Sequence, residues 1–87
     1  MYLHLGQDVV VRQKDIIGIF DIDTTSISKI TKKYLSTAEK LGRVVNVTQE
    51  IPKSFVICND GKHTKVYISQ ISSATLKKRR NKALLSF

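Results

Sequence analysis

The sequence holds one cysteine, one proline, no tryptophan and only four glycines in 87 residues. Cys58 alone cannot close an internal disulfide, which fits a reducing compartment. With only His4 and His63 beside it, no zinc-type spacing arises, so neither a metal nor a cofactor is expected. Few Pro and many Val, Ile and Leu argue against disorder. No apolar run approaches the ~20 residues that a membrane span needs. The opening Met1–Gly6 lacks the basic and apolar regions of a secretion signal. The expectation is a cytoplasmic protein without a membrane partner. No glycine-rich phosphate loop of the Walker or dinucleotide type is present. Acidic residues are also scarce: 7 Asp+Glu stand against 15 Lys+Arg, a net charge of +8 and a pI of about 9.9.

The excess of positive charge is uneven. Residues 1–42 carry a net +1 and residues 43–87 a net +7. Five of the nine cations in the second half fall in Lys77, Lys78, Arg79, Arg80 and Lys82. A concentrated basic surface points to a polyanion, with a merely solvated face as its bland counterpart. The length allows one domain over residues 1–87 with a modest core, for which association between copies would compensate.

Short apolar runs predict strands at residues 2–5 and 9–12, with Gly6-Gln7-Asp8 as the turn between them. The run from Asp15 to Asp21 predicts a buried strand, in which Gly18 marks a bulge or a close approach. The period then changes. Ile27, Ile30, Tyr34, Ala38 and Leu41 form one face of a helix over Ser26–Leu41. Residues 21–26 supply its N-terminal carboxylates and caps, and Gly42 its left-handed end. Lys29, Lys32, Lys33, Ser36 and Lys40 occupy the opposite face, where solvation is explanation enough.

Period 2 returns over residues 43–48, with Val45 and Val47 on one face. Ser54–Cys58 is apolar on both faces and predicts a central strand. Asn59-Asp60-Gly61-Lys62 reads as a hairpin with Asp60-Gly61 as the turn pair, and Thr64–Gln70 as the returning strand. Ser72 or Ser73 caps a final helix over Ser73–Leu84 that carries the basic run. The order βββ-α-βββ-α predicts an α+β fold: a small mixed or antiparallel sheet with two helices.

No catalytic constellation emerges. Asp21 and Asp23 are spaced to share a strand face, but their proximity to a helix start accounts for them. Cys58 reads as a small buried apolar residue. His63 reads as an exposed, idle residue and His4 as a surface or interface residue. The expectation is a protein that is no enzyme and has no small-molecule substrate. Four consecutive cations at Lys77–Arg80 wrap a helix at ~100° per residue, so one or two must pack by their stems against Leu76 and Leu84. Such a helix suits sequence-independent phosphate contact. Aromatics make up only 7% of the chain, too few for a single-strand stacking platform, which leaves duplex DNA as the favoured partner.

Several segments in order complete the reading: Tyr2-Leu3-His4-Leu5-Gly6, Asp15–Asp21, Pro52-Lys53-Ser54-Phe55-Val56 and Val66–Leu76. Over residues 2–80 the chain resembles the RemA/RemB extracellular-matrix regulator family of Gram-positive bacteria, most closely its RemB-type branch. The resemblance implies a non-enzymatic DNA-binding regulator of matrix operons. It also implies closed homo-oligomeric rings that bend or wrap DNA. RemA-type proteins carry their DNA-contacting arginines near the start of the third strand and in the loop before the fifth. Here those regions offer Arg12 and Lys14, with Asp15 at or beside the arginine position, and Glu50-Ile51-Pro52-Lys53, where Lys53 alone matches in kind. The expected DNA-contacting set is therefore Arg12, Lys14, Lys53, Lys77, Lys78, Arg79 and Arg80. The competing expectation is a protein-interaction or scaffolding oligomer whose basic surface meets no specific DNA.

Overall fold

A computed structural model describes residues 2–22 and 29–85, with side chains over 2–22 and 33–82. The elements in chain order are β1 (Tyr2–Gly6), β2 (Val9–Arg12), β3 (Ile16–Asp21), α1 (Lys29–Lys40), β4 (Val44–Asn46), β5 (Ser54–Asn59), β6 (Thr64–Ser69) and α2 (Ser73–Leu85). A 3-10 turn, Gln13–Asp15, joins β2 to β3. The α+β class, the mixed sheet and the two helices match the sequence expectation.

The strands form two sheets. β1 and β2 make an antiparallel hairpin, and the other four lie in the order β3-β5-β6-β4. β5 pairs antiparallel with both neighbours, while β4 runs parallel to β6. β5 is thus interior, as its two apolar faces require. Its even residues look one way and its odd residues the other. Val56 and Cys58 join Leu3, Leu5, Val11, Ile16, Ile19, Val47 and Leu76 in the larger core, under the hairpin and α2. Phe55 joins Val66 and Ala38 in a smaller core beneath α1. The sheet is therefore the middle layer of three.

Gly18 marks the bulge, and what comes close to it is a side chain in place of a second backbone. The β3–β5 register shifts between Ile16 and Gly18, which leaves Ile17 as the extra residue, 61% exposed. A Cβ at Gly18 would lie 2.6 Å from Cζ of Phe20. The missing side chain is what lets that ring lie back and stack on Phe55 at 5.0 Å.

The helix ends follow local chemistry. Gly42, at φ 70°, closes α1: its amide donates to the Glu39 carbonyl at 3.0 Å and that of Arg43 to Ala38 at 2.9 Å. Those two bonds are a Schellman end. Ser72 caps α2 by accepting from the Thr75 amide at 3.2 Å. The capping expected of residues 23–26 at α1 lies outside the described residues.

Two local expectations are corrected. Tyr34 and Leu41 do not belong to the covered face of α1, being 40% and 59% exposed; Leu35 packs with Ala38 instead. The covered stripe runs through Leu35 and Ala38, which turns Tyr34 and Leu41 to its edges. The β5–β6 turn also falls one residue later than expected. Asn59 pairs with Thr64, not with Lys62, and Gly61-Lys62 form the tip. Asp60 causes this: its Oδ1 accepts from the amides of Lys62 and His63, both at 2.8 Å, in place of a backbone carbonyl.

Candidate nucleic-acid interface

The cations of α2 are displayed by simple helical geometry. Ser73 and Leu76 are buried and Arg80 is half-buried, which defines a stripe of spacing three and four. Lys77, Lys78 and Arg79 lie outside the stripe and are exposed. Arg80 thus packs by its stem, as the four-in-a-row pattern required. No acid interrupts the helix over its 13 residues. Leu84, expected on the apolar side, lies among the residues whose side chains are not described.

The hairpin adds to this face. Its inner side chains, Leu3, Leu5 and Val11, enter the core, so Tyr2, His4, Val10 and Arg12 all point outward. Tyr2 sits across from Arg12, and His4 from Val10. Arg79 donates to the His4 carbonyl at 3.5 Å, which ties α2 to β1. A strand spacing of ~4.8 Å and two residues of ~3.4 Å then separate the Arg12 backbone from that contact by only about 8 Å. The structure therefore brings Arg12 and Arg79 to neighbouring positions, with Tyr2 and His4 between them. Sequence reasoning missed this junction, although the alternation of residues 2–5 already put Tyr2 and His4 on one face.

The remaining predicted residues are placed differently. Arg12 is partly spent: its Nε donates to Asp15 Oδ2 at 2.8 Å. Lys14, on the 3-10 turn, is exposed beside that pair. Lys53 is exposed but stands apart. Its backbone is pinned between Ser69 and Ile22, at the start of β5 and the end of β3. The 3-10 turn meets the other end of β5, near Cys58. Four residues of strand place those ends about 13 Å apart. Lys53 does not join Arg12 and Lys14 within one chain.

The groups with chemical potential are quiet. Cys58 is buried, and burial first, then the Asp15 charge, pushes its thiol up to about 11. It stays protonated at neutral pH and is a poor nucleophile. Asp60 is exposed, and the amides of His63 and Lys62 hold its carboxyl below the usual range. Among the described residues no group of three or more His, Cys, Asp or Glu could hold a metal ion. No described helix is long and apolar enough to cross a membrane.

Fold and surface together define a small α+β protein with one acid-free cationic helix beside an aromatic-cationic hairpin. The chain belongs to the RemA-like family: the model described as extracellular matrix regulatory protein A-like matches residues 2–79. It is 40% identical over 79 residues to extracellular matrix regulatory protein B of Bacillus subtilis (strain 168), covering 91% of this chain and 89% of that protein. The family read from the sequence segments is thus shown, and it is a family of matrix regulators.

Proposed function

We propose that this chain is a non-enzymatic regulator that contacts duplex DNA mainly through phosphates and acts on extracellular-matrix genes as a homo-oligomer. The observation that carries the reading is the acid-free run Lys77-Lys78-Arg79-Arg80 on α2, continued by Arg79 onto the hairpin that bears Arg12. Phosphate contacts of this kind position a protein without reading bases. Lys14 extends the same surface, and Lys53 contributes from the far end of β5. The similarity to extracellular matrix regulatory protein B of Bacillus subtilis supports the biological side.

Assembly into a ring gives a modest patch its strength. Repeated copies convert later contacts into intramolecular ones, and avidity rises without any new contact. Exposed apolar side chains supply material for contact between copies: Tyr2, Val10, Ile17 and Ile51 are each more than half exposed. One observation favours a second reading, a scaffolding oligomer that meets protein: Arg12 is already paired with Asp15, so it brings little net charge.

A gel-shift series on one duplex separates the two readings. With the wild type, affinity falls as salt rises, by a slope near 0.9 for each phosphate contact. Replacing Lys77, Lys78, Arg79 and Arg80 by Ala lowers affinity at least about tenfold and flattens that slope. No shift at low salt would exclude DNA and favour the scaffold. A shift unaltered in the variant would keep DNA and discard α2.

A further inference from the structure

A cleft of about 250 Å³ opens between the end of β2 with its 3-10 turn and the β5–β6 hairpin. Arg12, His63, Lys65 and Tyr67 line it with Asp60, and Cys58 and Asp15 lie deeper in. The strand registers explain the grouping. Lys65 lies across from Cys58, and Tyr67 across from Val56, so Lys65, Tyr67 and Cys58 share the face turned to the hairpin.

The cleft is rich in donors. The Asp15 side chain is only 15% exposed and meets Arg12 through one Nε–H, one of the five donors a guanidinium carries. Asp60, at the rim, spends Oδ1 on two backbone amides. Each carboxylate thus has one oxygen engaged by an internal partner. Tyr67 keeps its hydroxyl proton, since burial first and the neighbouring Cys58 next push its ionisation upward. The Cys58 thiol is likewise neutral. Beyond the Asp15 contact the guanidinium keeps its other N–H donors, and with the Lys65 ammonium and the Tyr67 hydroxyl these suit a compact acceptor with oxygens in several directions.

We infer that this cleft binds a phosphate-type oxyanion, inorganic phosphate or the phosphate of a small ester, through Arg12, Lys65 and the Tyr67 hydroxyl. The site goes beyond the DNA reading and does not depend on it, since Lys65 and Tyr67 take no part in the proposed DNA face. Arg12 belongs to both, so an oxyanion in the cleft competes with DNA for that guanidinium.

The test is an amide-resolved NMR titration with inorganic phosphate at constant ionic strength. Phosphate is expected to move the amides of Arg12, Lys65 and Tyr67 saturably. Lys65→Ala is expected to weaken that binding about tenfold, and Tyr67→Phe by a smaller factor. Lys33→Ala, on the exposed surface of α1, serves as the control for general loss of charge. Absence of saturation overturns the proposal, as does an equal effect of Lys65→Ala and Lys33→Ala. A second arm adds a blunt duplex with unphosphorylated ends to the phosphate-saturated protein. The duplex is expected to displace phosphate through the shared Arg12 and to return the amides of Lys65 and Tyr67 to their phosphate-free positions. A duplex that, added without phosphate, moves Lys65 and Tyr67 in the pattern phosphate gives would assign the cleft to backbone phosphodiesters and overturn the small-ligand site.

Discussion

Gly18 shows how much one absent side chain can fix. Gly18→Ala would drive a Cβ into the Phe20 ring and push it off Phe55. Aromatic pairs contribute ~1 kcal/mol beyond their buried area, so the melting temperature should fall by about 4–8 °C. The same change in a Phe20→Ala background should cost much less, and that thermodynamic cycle isolates the ring as the cause. Cys58 gives a second residue-level expectation. Its thiol, raised to about 11, should resist a thiol reagent at neutral pH until the chain is unfolded. The burial also has a sign in pH. The folded thiol ionises above the ordinary value of 9.0, so its contribution to stability is full below pH 9 and is lost as pH rises towards about 11. Gln13 is the opposite case: it is buried, and neither polar atom of its side chain has a hydrogen-bond partner among the described residues. Gln13→Met removes that unmet demand at similar volume and should raise stability by ~1 kcal/mol in a urea titration.

Among the elements, the two helix ends depend on single residues. Ser72→Ala removes the side-chain acceptor of the Thr75 amide and should cost ~1 kcal/mol. Gly42→Ala forces a side chain into φ 70° and should cost ~1 kcal/mol as well. Denaturation followed by circular dichroism checks both. These ends were legible in sequence because Ser and Gly act locally. So were the strands, since the alternation of Leu3 and Leu5 against Tyr2 and His4 depends only on which side faces the core. The covered face of α1 was less legible. Tyr34 and Leu41 have the right spacing, but which stripe of a helix is covered depends on what lies beneath it, and here that stripe runs through Leu35 and Ala38. The β5–β6 tip was misplaced for a related reason, because the Asp60 carboxylate displaces a main-chain acceptor that a two-residue turn assumes. At the candidate site, the charge of Lys77–Arg80 was plain from sequence. The meeting of Arg79 with His4 was not, since 75 residues separate them.

For the whole molecule, the net +8 is a property with a direction. The cations of α2 form one acid-free side, while Asp15 is tied to Arg12 of the hairpin and Asp60 to its own turn amides. A repeat of this surface in an oligomer makes mass and DNA affinity covary. Sedimentation at micromolar concentration is expected to give a multiple of 9.8 kDa, and dilution to monomer should weaken DNA binding in step. A monomer at every concentration would remove the multivalent part of the mechanism and leave only the single-chain patch.

The Ser69 hydroxyl bonded to the Leu5 carbonyl, across 64 residues, sets the order in which the chain can become itself. The hairpin is made before the second half of the fold, yet its apolar side is covered by Leu76 and by strands from that half. During synthesis Leu3, Leu5 and Val11 must wait, uncovered, until most of the chain has left the ribosome. Folding is therefore a late and nearly single event, slowed by the long loop that the Leu5–Ser69 contact closes. The newborn hairpin, with the apolar side of Leu3, Leu5 and Val11 still bare, is a part of this protein that a chaperone would meet before the fold closes.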